Sequence, residues 1–502
     1  MENYSLLMGA AAVVKMAVEM AAVSMEKPSG GTSPLRQRAG TETPVPQILA
    51  SRWRRLWKDV LRTILSKLPA KEAVRSSVLS REWRSVWTTC TKLSFNGADA
   101  CWSGGGKAEQ RHTQVFIDHV NAVLQKHRDR AIEQFEVKFT LDSKLADHLD
   151  SWIRFSMSSQ TKNLALDLAP PSNFLRHGDH YRFPFELLDK EGVSCLQRLQ
   201  LCFVSFEPPP AQFLGFPNLR KLALHVLNTT SKDLDSILGT CCKLEWLSIA
   251  RCHLKDELKV TRPLSRLHYL KVMYCDITKI DFHAANLSTF VYNGRFIPVA
   301  LRRASKLESV KIWFSGTTFQ HALASLLDGL LDVQNLTLQL SCQRLETRWV
   351  LNSPRMFSQL RHAQILLLLT DEDEDKILYL VSFLRAAPFI EKLEVHFLGL
   401  PSLWFANDGP LRQEIPTSEY KYVNLKNVRV TGFRGARGQV EFLVHVVENA
   451  PGIQVVTVDT TQRLTDAFDP DEATPTLDSV ALDIVRGPLL KRLPSHAKLS
   501  LV

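Results

Sequence analysis

The sequence predicts an α/β chain: a small N-terminal module of three helices, followed by a solenoid of stacked strand-and-helix repeats. Two patterns carry that expectation. Beyond residue 130 the form apolar-x-x-apolar-x-apolar recurs thirteen times, with first slots at 132, 161, 196, 219, 244, 267, 287, 307, 333, 360, 390, 425 and 453. Period-2 alternation of this kind marks a strand with one buried face, and steps of 20 to 35 residues leave room for a return segment in each repeat. Before it, Val60, Leu61, Ile64, Leu65 and Leu68 keep helical spacing on one face.

The elements follow in order. Residues 1–50 form a leader: an Ala-rich stretch from Ser5 to Ser24, interrupted by Lys15 and Glu19, then a Ser/Gly/Thr/Pro-rich run without apolar periodicity. Pro69 ends the first helix of the module. Ala73, Val74, Val78 and Leu79 are the apolar set of a second, and Ser80 caps a third in which Trp83, Val86 and Trp87 share a face. Such a module is near the lower size limit for folding alone. Cys101–Lys107 is a Gly-rich linker; with Ala108 after Gly106-Lys107 and no preceding strand, it is no phosphate loop.

In the repeats Thr161 is a polar intruder in a first slot, and Leu360/Ala363/Ile365 is degenerate. Two repeats extend the form to Cys252 and Cys275, where a Cys or Asn serves the turn leaving the strand. Each unit buries its apolar face only by stacking on its neighbours.

Composition narrows the function. The 502 residues are 45% apolar, enough for a large core, and no 18-residue uncharged apolar run is present to span a membrane. The net charge is +10, and residues 35–92 hold 13 Lys/Arg against four acids, 13 − 4 = +9. A positive module points to an acidic partner, either nucleic acid or an acidic protein. Trp53, Trp57, Trp83 and Trp87 are tryptophans of that module, and their helical spacing favours core over base stacking. Nine cysteines without a CxxC pair suit reduced thiols in the nucleus or cytoplasm, and no structural metal is expected. Neither GxSxG nor HExxH occurs, and Asp371–Asp375 reads as a polar turn. Binding rather than catalysis is the expectation, with no cofactor.

The segment Trp57–Trp87 closely resembles a plant F-box. Asp59-Val60-Leu61, Ile64-Leu65-Ser66, Leu68-Pro69, Val74-Arg75, Val78-Leu79-Ser80, Trp83-Arg84 and Trp87 match in order without gaps. Where the family opens its first helix with Leu-Pro, this chain has Leu56-Trp57. The repeat form and period are those of leucine-rich repeats. Ala386–Val395 resembles a segment common in plant F-box/leucine-rich-repeat proteins, and Leu425–Phe433, with Phe442-Leu443 and Glu448–Pro451, is similar to their FBD-type terminus. On this resemblance, 51–95 is the F-box, 96–130 a linker and first helix, 131–415 the repeats, 416–465 FBD-like terminal repeats, and 466–502 a C-terminal tail.

The resemblance implies a substrate receptor of an SCF (Skp–cullin–F-box) ubiquitin ligase. The F-box would dock on a Skp-family adaptor and, through it, a cullin; the repeats would hold a target protein. Membrane and nucleic acid are not expected partners. A scaffold outside the ligase and a nucleic-acid-associated binder are the rival readings. Leu56, Trp57, Val60, Leu61, Ile64, Leu68 and Pro69 supply the adaptor-binding edge. Residues between the apolar slots of the strands face away from the core, so Trp246, Tyr269, Lys271, Lys311, Trp313, Lys392 and Arg429 are the candidate target-binding residues.

Overall fold

A computed structural model describes residues 90–97, 107–127, 131–140, 145–170, 180–210, 212–302, 304–342, 356–369, 377, 379–399, 420–463, 473–474 and 479–502. The leader, the three-helix module with all seven adaptor-edge positions, the glycines of the linker and Asp371–Asp375 lie outside the described residues. The chain divides into two compact units, Met1–Phe135 and Glu136–Val502.

In the first unit, strand β1 (Lys92–Asn96) alternates buried and exposed residues, and helix α1 (Lys107–Lys126) buries Ile117, Val120, Val123 and Leu124. The Thr91 carbonyl accepts the amides of Glu133 and Gln134, at the start of β2 (Gln134–Lys138). Phe95 meets His119 and Phe135 edge to face, each at 6.0 Å.

The second unit opens with helix α2 (Ala146–Ser158), which buries Leu149, Trp152, Ile153 and Met157, and is a parallel ladder. Its strands are β3 (Asn163–Asp167), β4 (Arg198–Cys202), β5 (Lys221–His225), β6 (Trp246–Ala250) and β7 (Tyr269–Met273). They continue as β8 (Thr289–Arg295), β9 (Ser309–Ser315), β10 (Asn335–Cys342), β11 (His362–Leu369) and β12 (Lys392–Leu398). The ladder ends with β13 (Asn427–Thr431), β14 (Val455–Val458) and β15 (Lys498–Leu501). From β3 onward each strand pairs in parallel with the next in sequence, in one register: Leu222, Leu247, Leu270, Phe290 and Val310 occupy equivalent positions. The inward slots are almost sealed, Leu247, Ile249, Leu270 and Val272 all being 0% exposed.

Repeat length decides how the chain returns. The repeats following β5 and β9 advance 25 and 26 residues and hold helices α3 (Ser231–Leu238) and α4 (Phe319–Gly329). Thr230 and Thr318 cap them, each side-chain oxygen accepting the amide three residues on. The repeats following β6, β7 and β8 advance only 23, 20 and 20 residues. Their return segments are short strands, Leu258–Lys259, Ile280–His283 and Val299–Arg302, which pair into a small parallel sheet. An extended residue advances roughly 3.3 Å against about 1.5 Å in a helix, so a short repeat must return extended. The expected strand-plus-helix unit therefore fails in those three repeats.

Helices return again as α5 (Tyr379–Ala386), α6 (Arg437–Asn449) and α7 (Ser479–Leu490). The last corrects the C-terminal boundary: residues 479–501 add a further helix and strand, with Val456 of β14 registered on Leu499. A tail beginning at 466 is thus not what the described residues form. The slots of that repeat, Leu499 and Leu501, are only half-buried, which is why the alternation fades there. Among the described residues no helix is long and apolar enough to cross a membrane.

Candidate target-binding face

One face of the ladder is covered by the return helices and short strands; the other is open. Its residues form columns running from strand to strand. The first column contains Arg198, Lys221, Trp246, Tyr269, Thr289 and Ser309 on β4 to β9. The second holds Gln200, Ala223, Ser248, Lys271, Val291 and Lys311, and the third Cys202, His225, Ala250, Met273, Asn293 and Trp313.

All seven sequence-derived target positions lie on this face. Trp246 and Tyr269 sit directly opposite each other, and their rings stack with centroids 5.4 Å apart and planes 7° from parallel. Lys271 is two residues along the strand from Tyr269, and Lys311 shares its column with Val291 between them. Trp313 stands two residues beyond Lys311 on β9. Lys221, which the sequence reading passed over, flanks Trp246 on its other side. The signal was available: Lys221 precedes its middle slot, Leu222, just as Trp246 precedes Leu247.

Lys392 and Arg429 belong to a different neighbourhood. Lys392 pairs with Glu394, which also meets the Nε2 of His362 at 3.0 Å. Arg429 reaches the buried Asp459 carboxylate at 3.5 Å. Gln364, His396 and Thr431 form a third polar row, with His396 Nδ1 2.8 Å from the Thr431 hydroxyl. Below these strands Glu391 bridges Arg361 and Lys426. Hydrogen bonds from His362 and Lys392 pull the Glu394 carboxyl down to about 2 against an opposing desolvation penalty. The structure therefore divides the seven positions: five lie in a neighbourhood of lysines and aromatic rings, and two in an internally neutralised one.

At the exits of β4 to β7, Phe203, Val226, Arg251 and Tyr274 all adopt left-handed backbone with φ between 50° and 64°. The amide of each donates to the carbonyl of the last third-column residue on the next strand: His225, Ala250, Met273 and Asn293. This bond repays the strain, which for branched Val226 is substantial. It fixes the rim beside the face, where the Arg251 guanidinium lies 5.9 Å from the Tyr274 ring centroid and Asn293 donates to the Tyr274 hydroxyl.

Cys202 and His225 lie side by side in the third column, Sγ to Nδ1 3.1 Å, with Asp167 as the register neighbour of Cys202 on β3. Burial, then the Asp167 charge, holds the Cys202 thiol far above its ordinary range, while burial and Arg251 depress His225. A protonated thiol beside a neutral imidazole is a hydrogen-bonded pair, not an activated nucleophile. The sequence reading passed over this pair, although its members occupy equivalent positions of successive repeats, 23 residues apart. Cys252 and Cys275 occupy the expected turn slots: each thiol donates to the carbonyl two residues back, Ala250 and Met273, at 3.3 Å. Burial keeps Cys252 protonated. Among the described residues no group of three or more His, Cys, Asp or Glu could hold a metal ion.

The At1g61320/AtMIF1 leucine-rich-repeat domain family matches residues 123–486, well over half the chain. The chain belongs to that leucine-rich-repeat family. An F-box domain match covers residues 53–95. Three relatives from Arabidopsis thaliana bear F-box names. The F-box/FBD/LRR-repeat protein At1g13570 is 24% identical over 415 residues, 80% of this chain and 89% of the relative. The putative FBD-associated F-box protein At1g61330 is 23% identical, covering 84% and 94%. The FBD-associated F-box protein At1g61320 is 22% identical, covering 83% and 90%. In this F-box/leucine-rich-repeat chain the repeats supply an open, one-sided face, as befits an interaction adaptor.

Proposed function

We propose that this protein is the substrate-recognition subunit of an SCF-type ubiquitin ligase. The F-box at 53–95, joined to a repeat domain with an open face bearing stacked aromatic rings, is the observation that supports it. In this reading Leu56, Trp57, Val60, Leu61, Ile64, Leu68 and Pro69 contact a Skp-family adaptor that links the chain to a cullin. The open face holds the target protein. The chain performs no covalent step; tethering raises the effective concentration of target lysines near the ubiquitin-loaded enzyme. Its place of work would be the nucleus or cytoplasm.

Affinity purification of the full chain followed by mass spectrometry tests adaptor and target together. Wild-type protein should recover a Skp-family adaptor and cullin. Truncating central anchors of an apolar interface costs about 2 kcal/mol or more, roughly thirtyfold in affinity. Leu61→Ala with Pro69→Ala should therefore lose adaptor and cullin. Equal recovery by the double variant would overturn the docking role. Charge reversal at Arg54, Arg55 and Lys58 should do less, slowing association in a salt-sensitive way. A wild-type chain that recovers no adaptor would favour the scaffold reading, with Trp57 in place of the family's proline as the reason.

A further inference from the structure

The open face is not uniform in charge. On β4 to β9 its outward residues include Arg198, Lys221, Lys271 and Lys311 and not one Asp or Glu. Among the described residues no ion pair joins Lys221, Lys271 or Lys311 to a carboxylate. From β11 to β14 the cations are answered from within, Lys392 by Glu394 and Arg429 by Asp459. The fold thus neutralises one half of its face and leaves the other positive.

We propose that the target segment held by the repeats is an acidic, extended stretch of protein, seated across Lys221, Lys271, Lys311 and the stacked Trp246–Tyr269 pair. This deepens the receptor reading and rests on it in one respect, that the face captures a protein. Strands about 4.8 Å apart put Lys271 and Lys311, two strands distant, roughly 10 Å from each other. That distance spans a few residues of extended chain, so one segment can place carboxylates on both. Val291, between them, and Met273, beside Lys271, form an apolar floor for the alternate side chains.

Protein fits better than nucleic acid for two reasons. The two rings are stacked on each other, so no slot exists between them for a base. The lysines are separated by small and apolar residues, Ala223, Ser248 and Val291, rather than set in the continuous run that tracks phosphates.

The experiment uses the purified full chain. Anisotropy is read with a fluorescein-labelled peptide of Asp, Glu, Leu and Tyr, a matched peptide with Lys in place of the acids, and labelled oligothymidylate. The acidic peptide should bind and weaken with added salt, while the basic one should not bind. Lys221→Gln, Lys271→Gln and Lys311→Gln together should cost about tenfold or more and flatten the salt dependence; Trp246→Ala with Tyr269→Ala should cost a similar factor. Arg361→Gln with Lys426→Gln, the two cations that Glu391 neutralises, should change affinity less than about twofold. These exposed Lys→Gln and Arg→Gln changes leave the inward slots intact, and unchanged thermal unfolding verifies it. The proposal is overturned if the acidic peptide does not bind, if the triple variant binds as wild type, if the control pair loses as much, or if oligothymidylate binds more tightly. Adaptor recovery from the same preparations reads the ligase role separately: peptide binding without adaptor sinks that role alone.

Discussion

The Nε2 of His445, on α6, lies 2.9 Å from the hydroxyl of Tyr422, and both side chains are buried. Burial is the main reason the imidazole is pushed down from 6.5 to about 4. The folded chain thus holds His445 neutral at a pH where the unfolded chain protonates it. Stability should be unaffected above pH 6.5, fall as the pH drops towards 4, and lose nothing further from this group below that, a total of roughly 3 kcal/mol. His445→Gln should flatten that decline in denaturant unfolding measured across the window; an unchanged slope would count against it.

Glu394 acts at lower pH and through a different balance. Its carboxyl, depressed from 4.5 to about 2, contributes stability that is fully present above pH 4.5 and is lost as the pH falls through 2. Glu394→Gln should lower the melting temperature at neutral pH by a few degrees and remove that acid-side loss. It should leave the decline between pH 6.5 and 4 in place, since His445 causes it.

Two glycines separate strain from collision. Gly432 has φ +65°, and a Cβ there would lie 2.1 Å from the Phe397 carbonyl oxygen on the adjacent strand. Gly316 has φ +76° with open space around it. Gly316→Ala should cost about 1 kcal/mol, the price of a left-handed alanine. Gly432→Ala should cost at least about twice that, because β12 must move away from β13. Chemical unfolding of the two variants side by side gives the comparison; equal losses would refute the collision.

Thr161 sits fully buried in a first slot that apolar residues fill elsewhere, and among the described residues its hydroxyl has no hydrogen-bond partner. Valine keeps the shape and removes the stranded polar atom. Thr161→Val should raise stability by about 1 kcal/mol in denaturant unfolding. A loss of stability would mean that the hydroxyl is satisfied after all.

The repeat core was legible in the sequence because its cause is local: alternation of period two marks each strand, and burial enforces it from Leu164 to Val458. The shared face of Trp246 and Tyr269 was legible for the same reason, since a 23-residue step gives them equivalent positions, while the stacking of their rings emerged only from the structure. The Arg361–Glu391–Lys426 bridge was harder to see: its members also sit at equivalent positions, each just after a first slot, but steps of 30 and 35 residues carry insertions that obscure the repeat. The replacement of helices by short strands after β6, β7 and β8 was hidden likewise. Their segments carry no strong strand signal, and the shortness of the repeat is what compels extension.

Cys241 and Cys242 are adjacent in sequence and opposite in access: the first is sealed, with its thiol held up to about 12 by burial, and the second is exposed. Cys252 is sealed as well. An array of rungs has no single interior whose loss uncovers everything at once, so different stretches can open independently. An alkylating reagent would therefore mark Cys242 immediately and reach Cys241 or Cys252 only when the rungs around them part. The order of labelling would chart where along its length the chain breathes, with natural cysteines as the clocks.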